Sequence, residues 1–409
     1  MDIHLFGNAL YFAGRDSRGM NLYRVKKYLR YLKELFLYVL FFLIVKPCSS
    51  NEWLISERGT DARDNAYWLY KYIKANHPEI EVKYVITRTS PDIKKIEPAD
   101  VVLYRSKEHY KTYIRANCLI STHYEGCSPD LELFTKLTAN RIIRHKNKIV
   151  FLQHGITKDA FVTIAQKRPL DLFIMGAKPE YQSAIETTGY ADGVIQYTGF
   201  PRFDNLWKQE HYTNNEKNYI LVMPTWRLDF SNMDCAEFVT TQYYKAYQEL
   251  LTNEQIWRFL EETGSKLLFY PHSEVQRFIH MFRSEGKDVV IASAKEYDVQ
   301  QLLIESRVLI TDYSSVYFDF AYLHKPVLYY HFDYKYYRSL HLKQGWFDYS
   351  RNGFGPICKT LKELTVELTR LKNNNFCMDD KFIERINAIF ELNDMNNSER
   401  VFRAIQNMK

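Results

Sequence analysis

The residues best suited to chemistry stand at the ends of short apolar runs. In Thr311-Asp-Tyr-Ser-Ser-Val-Tyr-Phe-Asp-Phe320, an apolar run (Arg307-Val-Leu-Ile310) ends in Asp312, Ser314 and Ser315 and turns into a helix-like segment that reaches Leu323. The two serines fall where the first helical N–H groups lack intrahelical partners. Those donors, the hydroxyls and the positive end of the helix dipole together suit a phosphate. The competing reading is a plain N-cap, for which Ser and Asp are preferred in any helix. His154 ends Ile149-Val-Phe-Leu-Gln153 and precedes Gly155, which lets a ligand or another chain come close to the backbone. Gly199-Phe-Pro-Arg202-Phe-Asp204 is a turn holding an Arg for either an ion pair or a phosphate. Pro224-Thr225-Trp226-Arg227 closes a buried run with a hydroxyl, a ring and a cation, and Pro271-His272 ends Leu267-Leu-Phe-Tyr270. Each could be structural alone. Together they describe a cleft that handles phosphates and contains an imidazole able to act near neutrality.

Such residues need a scaffold that brings strand ends together. From Trp53 the chain alternates strands and helices. Strands are predicted at 53–56, 82–87, 100–104, 118–121, 149–153, 171–175 and 194–198, with a helix over 62–76 opened by Asp61. The polar run 208–218 reads as a linker. A second series follows, with strands near 219–224, 266–270, 288–291, 307–311 and 326–332, a helical stretch over 240–262, and a helical tail over 379–409. Strands alternating with helices imply parallel sheets, whose ligands bind at the carboxyl ends of the strands. The predicted architecture is α/β: two facing Rossmann-like domains with a cleft between them, plus an N-terminal helical segment. The expected boundaries are 1–46, 47–207, 208–378 and 379–409.

At 409 residues the chain is too long for one ordinary domain. Its net charge of +6, from 55 basic and 49 acidic residues, is too weak to indicate nucleic acid and fits a polyanionic substrate or an anionic membrane better. Six cysteines without a CxxC pair argue against a zinc ribbon or a disulfide framework and for a reducing compartment. The acidic residues near the cleft motifs are single, so neither a metal site nor a cofactor is expected.

Residues 22–45 form a distinct segment. Leu22, Val25, Leu29, Leu32 and Phe36 recur at helical spacing, with Lys26, Arg30 and Lys33 on another face. The unbroken apolar run Leu35 to Val45 is too short to cross a bilayer, which takes about 20 residues. It also begins too far along the chain for a secretory signal. Two readings stay open: a helix docked on the core, or a basic amphipathic helix lying on a membrane.

The ordered series LQHGITKD (152–159), TGFPRFD (198–204), MPTWR (223–227), YPH (270–272), TDYSSVYFD (311–319), KPVLYY (325–330) and FDYSRNGFGP (347–356) resembles the CDP-glycerol glycerophosphotransferase family. WLISERGTDARDNAYWLYKYI (53–73) and the closing Asp394 and Ser398-Glu-Arg400 are similar as well. The resemblance implies a GT-B fold and a peripheral enzyme on the inner, cytoplasmic face of a bacterial membrane. It would transfer a polyol phosphate from CDP-glycerol, or CDP-ribitol, to a lipid-linked teichoic acid or capsular polymer. It further implies that His154 is the base and that His272 and Arg227 face the donor phosphates. Ser314 and Ser315 would hold the diphosphate and Asp319 would orient a hydroxyl, with Arg202, Thr225 and Asp312 contacting substrate. One departure is Gln153-His-Gly-Ile-Thr-Lys158, where many family polymerases carry a Trp-His-Gly-Thr-Pro type of sequence. A GT-B glycosyltransferase using a nucleotide sugar, and a non-catalytic polymer-binding scaffold, are the alternatives.

Overall fold

A computed structural model describes residues 22–161, 168–212, 217–293, 296–340 and 343–408. Among these, the strands form two sheets in which every strand pairing is parallel. The first contains β1 (Trp53–Ser56), β2 (Val82–Ile86), β3 (Val101–Leu103), β4 (Cys118–Ser121), β5 (Lys148–Phe151), β6 (Leu172–Met175) and β7 (Ile195–Tyr197), in the order β3-β2-β1-β4-β5-β6-β7. The second contains β8 (Tyr219–Val222), β9 (Lys266–Phe269), β10 (Val289–Ile291), β11 (Ser306–Thr311), β12 (Val327–Tyr330) and β13 (Ile357–Cys358), in the order β10-β9-β8-β11-β12-β13. Both orders reverse direction once, between β1 and β4 and between β8 and β11. In open sheets that switch point is where ligands bind. Strands β1, β4, β6 and β12 are apolar and wholly buried, as expected of parallel strands covered by helices on both faces.

Four details differ from the sequence reading. The helix expected over 62–76 begins at Asn65, capped by Asp64 rather than Asp61, because the Asp64 carboxylate accepts the Asn65 N–H. The stretch 240–262 is two helices, Gln242–Leu251 and Glu254–Thr263, and Asn253 caps the second through the Gln255 and Ile256 N–H groups. The supposed linker 208–218 is helical as far as Tyr212, within Pro201–Tyr212; residues 213–216 lie outside the described residues. Strand β13 is too short to leave a pattern in the sequence.

The tail is two helices, Asp380–Ile389 and Asn397–Gln406, and the second returns to the first sheet's helices. Phe402 stacks on His77 with centroids 3.7 Å apart, and the Asn397 and Ser398 N–H groups both donate to the Asp204 carboxylate at 2.8 Å. Gly199, at φ +73°, packs so closely on Asn397 that a Cβ would come 1.8 Å from its Oδ1, so a side chain is excluded there. Arg400 completes the fastening with a two-pronged pair to Asp394, at 2.8 and 3.0 Å, and a bond to the Thr198 carbonyl.

The N-terminal helix, Leu22–Ile44, satisfies part of each reading offered for it. Tyr31, Glu34 and Phe41 are buried against the helices Lys107–Arg115 and Leu131–Ala139. Lys27 and Arg30 pair with Glu132 and Asp130 on the same side. The opposite face leaves Leu29, Leu32, Phe36, Leu40, Leu43 and Ile44 between 43% and 68% exposed. Lys26 and Lys33 are exposed as well. Among the described residues no helix is long and apolar enough to cross a membrane.

Candidate active site

After β5 the chain makes a sharp turn that presents His154. Gln153 adopts φ +54°, a conformation that is costly for a non-glycine residue and must be held by its surroundings. Its side-chain amide donates to the Ile174 carbonyl at 2.8 Å, and its Oε1 accepts the Thr157 hydroxyl at 3.1 Å. Asn65 donates to the carbonyls of Leu152 and Gln153, at 3.2 and 2.9 Å. The buried Glu180 accepts the Thr157 and Gly176 N–H groups at 2.6 and 2.9 Å, while burial pushes its carboxyl up to about 7. Gln153 and Thr157, two of the residues that depart from the family's usual sequence, therefore bond to each other and help to fix this turn.

The His154 ring is accessible from the cleft and stacks on His123, which follows β4, with centroids 4.8 Å apart and planes 11° apart. Desolvation in the cleft holds the His154 imidazole below its usual value, against the opposing pull of the Asp64 carboxylate. His123 is pushed lower still, to about 3, first by desolvation and then by the His154 charge. His154 is thus a neutral ring near physiological pH, able to accept a proton.

The second domain meets this turn with its serines. A Cβ on Gly155 would come 3.2 Å from Ser315 Oγ, so the His-Gly turn lies directly against the Ser-Ser turn. Ser315 occupies the N-cap position of the helix Val316–Tyr322, yet its side chain makes no capping bond. Ser314 Oγ accepts the Val316 N–H only at 3.4 Å. Plain capping therefore does not account for this pair. At the end of β9, His272 lies parallel to Trp226, with centroids 6.0 Å and planes 18° apart. The Glu274 N–H donates to its Nδ1 at 3.2 Å, which leaves the proton of the neutral ring on Nε2 as a donor. Desolvation keeps this ring below the ordinary imidazole value. Thr225 stands beside β11, its N–H donating to Asp312 at 2.7 Å.

Four expected substrate contacts are engaged in ion pairs. Arg227 is 0% exposed and is consumed by carboxylates: Nε and Nη2 donate to Asp333 at 2.8 and 2.9 Å, and Nη1 to Asp312 at 3.0 Å. Neither Arg227 nor the equally buried Asp312 faces a phosphate here; they brace the turns that carry Thr225 and the serines. The Asp319 carboxylate is taken up by Arg202, which grips it with two bonds at 2.6 and 3.0 Å. The same Arg202 donates to Asp64 at 2.7 Å. Arg202 is thus a clamp between the two domains, linking the helix after β11 to the N-cap of the helix after β1.

Sequence reasoning missed Asp64, His123 and Asp333. His123 stands two residues beyond β4 and could have been found by applying the strand-end criterion without exception. Asp64 and Asp333 act through partners distant in sequence, which no local spacing reveals.

A pair of facing parallel α/β domains, with a histidine turn of one set against a serine turn of the other, defines a GT-B scaffold with the makings of a transferase site. The chain belongs to the family described as CDP-Glycerol:Poly(glycerophosphate) glycerophosphotransferase, whose model matches residues 38–407. It is 33% identical over 370 residues to the minor teichoic acid biosynthesis protein GgaB of Bacillus subtilis, covering 86% of this chain and 39% of that protein. It is 30% identical over 188 residues to a teichoic acid poly(glycerol phosphate) polymerase of Bacillus spizizenii, covering 43% of this chain and 44% of that one. The chain thus spans well under half the length of these curated relatives. In fold it matches the wall teichoic acid polymerase TagF soaked with CDPG, with a TM-score of 0.69, 19% identity, and coverage of 95% of this chain and 98% of the other. A UDP-N-acetylglucosamine 2-epimerase from Listeria monocytogenes has the same architecture at a TM-score of 0.53, with 13% identity and coverage of 87% of this chain and 96% of the other.

Replacing Ser314 and Ser315 together by alanine is expected to weaken donor binding by about 10- to 150-fold, the worth of one lost charge-assisted hydrogen bond. The melting temperature should hold, since Ser315 caps nothing. Calorimetry with CDP-glycerol beside a thermal melt checks both; unchanged affinity with a lowered melt would return the pair to a capping role.

Proposed function

We propose that the chain transfers a polyol phosphate, glycerol phosphate in preference to ribitol phosphate, from a CDP-polyol to a hydroxyl of a teichoic acid or capsular polymer. The observation that supports this reading is the close approach of Gly155 to Ser315, which sets the histidine turn of one domain against the serine turn of the other. The acceptor hydroxyl oxygen bonds to the phosphorus that bears the polyol. The bridging P–O bond of the diphosphate breaks, and CMP leaves with that oxygen. His154 takes the hydroxyl proton, while Ser314, Ser315 and the Nε2–H of His272 meet the charge on the diphosphate. The test is a CMP-release screen of CDP-glycerol, CDP-ribitol and nucleotide sugars with lipid-linked and capsular acceptors. Release from CDP-glycerol supports the reading, and turnover of a nucleotide sugar alone overturns it.

The outer face of the helix Leu22–Ile44 supports a place on the inner surface of the cell membrane. Its apolar stripe can enter the acyl boundary while Lys26 and Lys33 meet anionic headgroups. Changing Leu32, Phe36, Leu40 and Leu43 to serine should weaken binding to phosphatidylglycerol vesicles by at least about 10-fold, since burying one such side chain is worth about 1.5–3 kcal/mol. The melting temperature should stay level, because these side chains point away from the core. Equal co-sedimentation of variant and wild type would refute membrane docking through this face.

A further inference from the structure

Arg58 stands two residues beyond β1, on the side of the first sheet where the strand order reverses between β1 and β4. Its side chain is 60% exposed, and its ion pair is a loose one with the exposed Asp61, at 3.5 Å. An exposed arginine is ordinarily a solvated surface charge. This one is set apart by what surrounds it. The carbonyl of its neighbour Glu57 accepts the Ser121 hydroxyl at 3.0 Å, Ser121 accepts the His123 N–H at 3.2 Å, and His123 stacks on His154, so the loop that carries Arg58 lies beside the histidine turn at the ligand edge of the first sheet. The positive charge of Arg58 also helps to lower the His123, His154 and His272 imidazoles, which agrees with that place. The other two arginines of the cleft motifs, Arg202 and Arg227, are consumed by carboxylates. Lys158, the cation of the histidine segment, is paired as well, with Asp159 at 3.3 Å.

We propose that Arg58 is the cation by which the first domain grips the diphosphate of the donor, bridging the histidine turn and the serine turn. This deepens the proposed function and rests on the same cleft. The guanidinium fork can engage two phosphate oxygens at once, and release from Asp61 costs little because that pair is exposed. Because Arg58 belongs to one domain and Ser314, Ser315 and His272 to the other, a diphosphate held by both sets ties the domains together over the reacting phosphorus.

The probe is inorganic pyrophosphate, the part common to nucleoside diphosphate donors, titrated by calorimetry into the full chain and its Arg58→Ala and Arg58→Lys variants. The expected result is an affinity about 10- to 100-fold weaker in Arg58→Ala, with Arg58→Lys in between because an ammonium is a point charge without the fork. Melting temperatures should coincide. Two-dimensional NMR of the histidines gives a second reading: removing the cation should raise the titration midpoints of His154 and His272. Equal pyrophosphate affinity in wild type and Arg58→Ala, or no binding to wild type, overturns the inference. Failure of wild type to release CMP from any CDP-polyol would overturn the proposed reaction instead, and leaves the pyrophosphate result to decide the role of Arg58 independently.

Discussion

Replacing His154 with alanine is expected to lower turnover of CDP-glycerol by roughly 100-fold or more, the usual contribution of a general base. Donor affinity should change little, because the proposed diphosphate partners are Ser314, Ser315, His272 and Arg58. The pH profile is the sharper readout. A base must be neutral to accept a proton, and desolvation holds the His154 ring below its ordinary value. Wild-type rate should therefore stay level as pH falls through about 6.5, the free imidazole value, and decline only at lower pH. The variant should lose that acid limb. Turnover equal to wild type, or lost donor affinity with intact turnover at saturation, would remove His154 from the role of base. The neighbouring His123 offers a control: its ring titrates too low to relay a proton near neutrality, so His123→Phe should keep the acid limb.

How much of this could be read from the chain depends on the range over which each residue acts. Strands such as β1 and β4 are nearly continuous apolar runs four residues long, bounded by polar turns, so their placement was legible to the residue. The strand-end positions of His154, His272, Ser314 and Ser315 were legible for the same reason, since the residue following a parallel strand faces the ligand edge whatever the tertiary details. The break at Asn253 was not read because the apolar residues Leu250, Leu251, Ile256 and Leu260 continue across it, although a capping Asn was in plain view. Partners were the real gap. A strand-end arginine has the same local appearance whether it waits for a phosphate, as proposed for Arg58, or is consumed by a carboxylate far along the chain. Arg227 is 106 residues from Asp333, and Arg202 is 117 residues from Asp319. Only the folded chain distinguishes these cases.

Substituting Arg227 is the direct test of that distinction. If it contacted donor phosphate, Arg227→Leu would spare the fold and weaken donor binding. The structure leads to the opposite expectation. Arg227 is fully buried and bonded to both Asp312 and Asp333, and Asp312 also accepts the Thr225 and Tyr313 N–H groups at 2.7 and 2.6 Å. Removing the cation strands two carboxylates in a desolvated core, which costs about 3–5 kcal/mol when one partner of a buried pair is lost. Against a whole stability of about 5–15 kcal/mol, that loss should appear as a much lower melting temperature and poor yield of folded protein. The triple variant Arg227→Leu, Asp312→Asn, Asp333→Asn removes the stranded charges together with the cation and should regain part of the loss. Circular dichroism melts of both variants, beside donor titration of whatever remains folded, check this. An Arg227→Leu protein that melts like wild type but fails to bind CDP-glycerol would return Arg227 to the donor site.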